Sequence, residues 1–297
     1  MRKLAKYCSY LLALGMSILP WKFNIWLAKV LTFIWVDVFS IRKKVVFDNI
    51  DIAFPQTDEN IKNIWMHESI YTLMRSLFDV IRVPFLNDRW IDRNVVFHGL
   101  ENVKPDQAYL VLTLHMGSGD LAAAVISERI LPLSLISKRF KNLFLDEFWF
   151  SLRTRSKTKF IDAHSKRNAF DILAAIKEKR GVVFVLDQFM GMPYGVESTF
   201  FGKTTGTAYG LALFAQKTKL PVLPVYTYWD ENDKMHIYFN KTIDVSKFLS
   251  ENNLDKIADQ TTLNRAVTER FNKELENMIK QKPAQWMWVH RRWKEFE

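Results

Sequence analysis

The stretch Ala108-Tyr109-Leu110-Val111-Leu112-Thr113, running into Leu114-His115-Met116-Gly117-Ser118-Gly119-Asp120, decides how this chain reads. A short apolar, β-branched run predicts a strand, and Leu121–Ile130 beyond the turn predicts a helix. The alternation continues. Leu133–Ser137 predicts a strand, and Asn142–Arg153 a helix with Leu143, Phe144, Phe148, Trp149 and Leu152 on one stripe. Lys166–Lys179 predicts a helix that ends before Gly181, and Val182–Leu186 the next strand. Downstream, Thr205–Lys217 reads as helix, Val222–Trp229 and Lys234–Phe239 as strands, and Thr262–Gln281 as an amphipathic helix stopped by Pro283. Continuous apolar strands alternating with helices imply an α/β fold: a single central, mostly parallel sheet flanked by helices. Functional residues of such sheets lie at strand ends.

Composition narrows the class. The chain has 297 residues, 48% of them apolar, with 42 Lys and Arg against 32 Asp and Glu, for a net charge of +10. That is globular rather than disordered, with enough length for a large core. A lone Cys8 excludes an intramolecular disulfide framework and a cysteine-built metal centre, and it fits a reducing compartment. The basic balance and abundant aromatic residues invite a nucleic-acid reading, but no recognised binding motif accompanies them and the excess charge lies among long apolar stretches. Nucleic acid is therefore not an expected partner.

Residues 1–50 hold eight Lys and Arg against two Asp, interspersed with the charge-free run Cys8–Trp21 and the aromatic-rich run Phe23–Phe39. Neither run reaches the eighteen or so uninterrupted apolar residues of a spanning helix. A signal peptide lacks its small-residue cleavage site at Pro20-Trp21-Lys22, and a core helix rarely combines so many indoles with flanking lysines. The expectation is that Leu4–Phe39 enters or lies in a bilayer, residues 1–40 forming a membrane segment and 41–297 a cytoplasmic body.

The turn after Thr113 carries chemistry-bearing groups. His115 falls at a strand terminus, and Asp120 five residues later falls in the first turn of a helix, where the helix dipole favours a carboxylate. Gly117 and Gly119 allow the tight turn that lets the carboxylate approach the imidazole, the arrangement of a general base oriented by an acid. A packed histidine with Asp120 as a mere N-cap remains the alternative. Ser118 as nucleophile lacks the flanking glycines of a nucleophile elbow. A metal held by His115, Asp120, His164 and Asp187 lacks a recognised ligand spacing, so neither metal nor cofactor is expected. At the C-terminus, Gln285-Trp286-Met287-Trp288-Val289-His290-Arg291-Arg292-Trp293-Lys294 interleaves indoles with cations. It reads either as a strand packed on the body or as a phosphate site with apolar walls.

His-x4-Asp at a strand–helix junction, together with that C-terminal stretch, resembles the lipid A biosynthesis lauroyl/myristoyl acyltransferase family, Kdo-lipid A late acyltransferases within the lysophospholipid acyltransferase superfamily. The likeness extends through Arg42–Pro55, Ser137-Lys138 with Asn142, Arg153 and Arg155, Asp187-Gln188 with Gly191, and Thr199–Lys203 with Thr207 and Gly210. The resemblance implies a glycerolipid-acyltransferase-like fold at the bacterial inner membrane, its catalytic body facing the cytoplasm. It implies transfer of a fatty acyl chain from acyl carrier protein, or acyl-CoA, to a hydroxyl of a membrane glycolipid, with a lipid A precursor favoured over mannosylated phosphatidylinositol. On that likeness His115 is the base and Asp120 its orienting acid, while Lys138, Arg153, Arg155, Asp187, Gln188, His290, Arg291 and Arg292 bind substrate. Leu114 replaces the hydrogen-bonding Asn that some members carry before the histidine.

Overall fold

The computed structural model describes every residue except 155, 156, 255, 257, 258 and 297. Four helices come first: α1 (Arg2–Ile18), α2 (Trp21–Phe33, extended by a π-helical stretch to Val38), α3 (Lys43–Ala53) and α4 (Glu59–Arg82). The α/β body follows as α5 (Asp88–Asn94), β1 (Val95–His98), β2 (Tyr109–Thr113), α6 (Gly119–Arg129), β3 (Leu133–Ser137), α7 (Leu143–Arg153), β4 (Lys159–Asp162), α8 (Asn168–Lys177) and β5 (Gly181–Val185). Then come β6 (Gly195–Phe200), β7 (Lys203–Ala208), α9 (Gly210–Thr218), β8 (Val222–Trp229), β9 (Met235–Phe239), α10 (Val245–Glu251) and α11 (Gln260–Gln281).

Seven strands form one sheet in the order β1-β9-β8-β2-β5-β3-β4. Every neighbouring pair is parallel except β8 and β9, whose five-residue connection Asp230–Lys234 makes a hairpin. The expected mostly parallel sheet is therefore present. Alternate residues of β2 enter opposite cores, Leu110 and Leu112 on one face and Tyr109 and Val111 on the other, which is why the strand reads as a continuous apolar run. α6 covers the second face with Leu121, Ala122, Val125 and Ile126, while α11 buries Val267, Phe271, Leu275 and Met278 against the first.

One expectation fails. Residues 205–208, read as the start of a helix, belong to β7, which pairs antiparallel with β6 from Gly195↔Ala208 to Phe200↔Lys203. Thr204, Thr205 and Thr207 are β-branched and favour strand, and the helix begins only at Gly210. At the N-terminus, no single helix is long and apolar enough to cross a membrane; α1 and α2 with its π-helical extension qualify only as a pair bent by 108°. α1 touches α7 through Lys6–Glu147 at 3.3 Å and the hydroxyls of Ser9 and Ser151 at 2.5 Å. Leu4, Tyr7, Tyr10, Leu11, Phe23, Trp26 and Phe33 stay exposed.

Candidate active site

Parallel pairing brings the site together. Thr113 lies opposite Val185 in the β2–β5 register, so residues the same distance beyond each strand meet above the sheet. Two residues on are His115 and Asp187. Asp187 Oδ1 lies 2.9 Å from His115 Nδ1, and its Oδ2 accepts from the His115 backbone N–H at 2.9 Å and from Trp286 Nε1 at 2.8 Å. The C-terminal segment completes the clamp, since Met287 N–H donates to His115 O at 3.0 Å and Met116 bridges Trp286. Gly117 turns the chain with φ 60°; a Cβ there would stand 2.6 Å from the Thr227 carbonyl oxygen, so only glycine lets the turn pass β8 so closely.

The partner of His115 is thus a correction to the sequence reading. Asp120, expected to orient the imidazole, instead receives Arg153 Nε at 2.9 Å and Nη2 at 2.5 Å. The reason is positional: Asp120 opens α6, and the end of α7 delivers Arg153 to it, braced by Ser137 Oγ at 3.3 Å and by the Phe160 ring at 4.4 Å. Asp120 still acts on the imidazole through space, as one of the charges that favour its protonation.

Electrostatics follow from these contacts. Burial disfavours the imidazolium of His115, but the Asp187 charge and hydrogen bond outweigh it and raise the pKa above the usual histidine value. Burial likewise penalises the Asp187 carboxylate, yet the imidazole, the indole N–H and the backbone N–H hold it below the usual range. With Nδ1 held by Asp187, Nε2 is the ring nitrogen left for a substrate. The His115 side chain is 43% exposed while Asp187 is 1% exposed, so the imidazole is reachable and its partner is not.

His115, Asp120 and Arg153 line a cavity of about 270 Å³. Its polar wall includes Ser69, Thr72, Ser76 and Gln285; its apolar wall includes Val111, Ala122, Ala123, Ile126, Leu135 and Val183, between α6 and the sheet. The α4 and Gln285 contributions were not anticipated, although Ser69, Thr72 and Ser76 recur at helical spacing and form a polar stripe on α4.

The remaining expected residues divide. Lys138 and Arg291 are exposed, Gln188 is half-buried, and Arg155 lies outside the described residues. His290 lies near Asp187 and His115 with Nδ1 unpartnered, and burial lowers its pKa to about 4. Arg292 is fully buried, donating to Gly206 O at 2.6 Å and to Thr207 Oγ1 at 2.6 Å, with burial lowering its pKa to about 10. Its Nη donors are spent within the protein, tying the C-terminal segment to β7. Trp286 and Trp288 are core residues, and Asn49 Nδ2 reaches the carbonyls of Trp288 and His290 at 2.7 Å each. The segment therefore packs as part of the body. Among the described residues no cluster of three or more His, Cys, Asp or Glu is arranged to hold a metal ion.

Comparison with known proteins places the chain in a family. A lipid A biosynthesis acyltransferase of Haemophilus influenzae is 19% identical over 247 residues, covering 81% of this chain and 72% of its own length. Lipid A biosynthesis acyltransferase 2 of Shigella flexneri is 19% identical over 246 residues, covering 81% and 74%. Among solved structures, the 1-acyl-sn-glycerophosphate acyltransferase PlsC of Thermotoga maritima aligns over 89% of this chain and 98% of its own, with a TM-score of 0.40 and 14% identity. The sequence model of bacterial lipid A biosynthesis acyltransferases matches residues 2–295, and the chain belongs to that family of acyltransferases.

Proposed function

We propose that the protein moves a fatty acyl chain from a thioester, carried by acyl carrier protein or CoA, to a hydroxyl of a membrane glycolipid, most simply a lipid A precursor. The observation that carries this reading is the imidazole of His115, fixed at Nδ1 by a buried carboxylate while it lines a cavity with one polar and one apolar wall. His115 Nε2 takes the acceptor hydroxyl proton as the oxygen attacks the thioester carbonyl. Asp187 holds the ring and stabilises the imidazolium. The tetrahedral oxyanion needs donors, and the first N–H groups of α6 have no intrahelical partner. Collapse breaks the C–S bond, and the imidazolium returns the proton to the leaving thiolate. Atoms and charges balance without a further reactant.

The apolar wall suits the acyl chain, each methylene buried there contributing about 0.8 kcal/mol. Arg153 is neutralised by Asp120 and acts as a brace for α6 rather than as a free anion site. The exposed Lys138 and Arg291 are the cations better placed for a phosphorylated headgroup or an acidic carrier. The aromatic and apolar faces of α1 and α2, with their flanking lysines, suit an interfacial segment on the cytoplasmic side of an anionic inner membrane, preceding the catalytic body from residue 41.

The test uses detergent-solubilised full-length protein with acyl carrier protein loaded with lauroyl, myristoyl or palmitoyl chains and a panel of lipid acceptors. Acyl transfer to a lipid A precursor that depends on His115 is the expected result. Transfer only to another glycolipid keeps the mechanism and moves the acceptor. Thioester hydrolysis that remains dominant with acceptor present makes the protein a hydrolase.

A further inference from the structure

Asp79, on α4 beneath the active turn, is a fully buried titratable group that the mechanism leaves unused. Its Oδ2 accepts the Ser118 hydroxyl hydrogen, and Ser118 Oγ in turn accepts from Trp229 Nε1 at 2.9 Å. Arg75, one helical turn earlier, has its Nε 3.9 Å from Asp79 and its guanidinium 3.6 Å from the centre of the Trp229 ring. Asp79 Oδ1 and Arg75 Nε and Nη2 are buried without hydrogen-bond partners. Desolvating a carboxylate and a guanidinium in this way is costly, so the arrangement calls for a role.

Ser118 supplies it. It occupies the cap position of α6, where a serine hydroxyl ordinarily accepts from the first N–H groups of its own helix. Here it makes no such bond. Its hydroxyl is drawn to Asp79 instead, and the first turn of α6 is left uncapped beside His115 and Asp120.

We propose that Asp79, acting through Ser118 with Arg75 and Trp229 behind it, is a positioning residue: it fixes the turn that carries His115 and keeps the α6 N–H groups free for the oxyanion. This rests on the acyl-transfer reading above. The groups facing Asp79 are Arg75 and Arg82 on its own helix, Ser118 from the turn before α6, Trp229 from β8 and Asp233 from the β8–β9 connection. Burial lifts Asp79 to about 6, against the opposing pull of Arg75, the Ser118 hydrogen bond and Arg82. Protonation of Asp79 loosens its grip on Ser118, so a second proton inhibits on the acid side, beyond the one taken up by His115.

The test compares full-length Ser118→Ala, Asp79→Ala and Asp79→Asn with Arg180→Ala, which breaks a buried polar network at the opposite end of the sheet, where Arg180 bonds Ser134 and the carbonyls of Leu133 and Lys157. Ser118→Ala and Asp79→Ala are expected to lower kcat by about tenfold or more with KM within about twofold, because small misplacement at a reacting centre costs rate rather than binding. Asp79→Asn, whose amide oxygen still accepts from Ser118, recovers part of the loss. Below pH ~6 log kcat/KM falls with a slope of about two in the wild type and about one in Asp79→Asn. Arg180→Ala lowers Tm with kcat unchanged. An Asp79 series that loses only Tm, as Arg180→Ala does, overturns the proposal. The NMR resonance of the His115 Nδ1 proton in histidine-labelled protein gives a readout free of turnover. A shift in Ser118→Ala supports the positioning role even in a protein that transfers no acyl chain, and an unchanged resonance contradicts it.

Discussion

The turn after β2 and the C-terminal segment each bring an imidazole close to the Asp187 carboxylate, and the two imidazoles end in opposite states. His115 bonds Asp187 directly, lies partly open to the cavity, and has its pKa raised. His290 is half-buried, has no partner at Nδ1, and falls to about 4 because burial, helped by His115, Arg292 and Lys294, outweighs the Asp187 charge. Closeness to a carboxylate does not make a base. A direct hydrogen bond to the ring, together with an open path to the other nitrogen, does.

The widest gap between the two regions is catalytic. His115→Ala is expected to lower acyl transfer by about 10²–10⁴-fold, the range of general-base catalysis, whereas His290→Gln costs less than about tenfold. Comparable losses in both variants, measured as turnover per folded protein, would break the comparison. In stability the contrast lies within the C-terminal segment. Arg292→Ala removes the charge-assisted hydrogen bonds to Gly206 O and Thr207 Oγ1, which keep only Met190 N–H and the Ser198 and Asn272 side chains, and costs about 1.5–3 kcal/mol in denaturant unfolding. Arg291→Ala, on the surface, stays within about 0.5 kcal/mol.

A smaller effect separates the two carboxylates of the site. Asp120→Asn removes the charge that holds Arg153 without touching the Nδ1 bond, so kcat falls by about tenfold while KM for the thioester changes less. The smallest effect tests the apolar wall. Ala123→Leu fills part of the cavity and shifts preference toward shorter acyl donors by about fourfold, the equivalent of roughly one methylene. An unchanged preference in competition between chain lengths would move the acyl chain to another surface.

Much of this was legible in the residues. The strands at 109–113, 133–137, 182–186 and 222–229 declare themselves by uninterrupted apolar runs, and His115 by its place at a strand end. What the sequence leaves open is adjacency. His115 and Asp187 are 72 residues apart, and only the β2–β5 pairing puts them at one height above the sheet. Asp120 is the acid that local spacing offers, and the long-range partner displaces it. The C-terminal cations mislead for a similar reason: Arg292 has the residue type of a phosphate ligand, but burial among the threonines and carbonyls of β7 decides its use. The β6–β7 hairpin escapes because its threonine-rich strand abuts a true helix, and hydrophobic period alone does not mark the junction.

The most direct measurement is the acid limb of kcat/KM for acyl transfer in the wild type, Asp187→Asn and Asp120→Asn. His115 acts as base only when neutral. A folded pKa raised by Asp187 therefore places the wild-type limb above the ordinary histidine value of 6.5, with activity lost as pH falls through it. Asp187→Asn removes the largest of the contributions that together outweigh burial, so the limb moves to lower pH even as the maximal rate drops; Asp120→Asn moves it less. A limb that follows Asp120 and ignores Asp187 would contradict the assignment of Asp187 as the partner of the catalytic base.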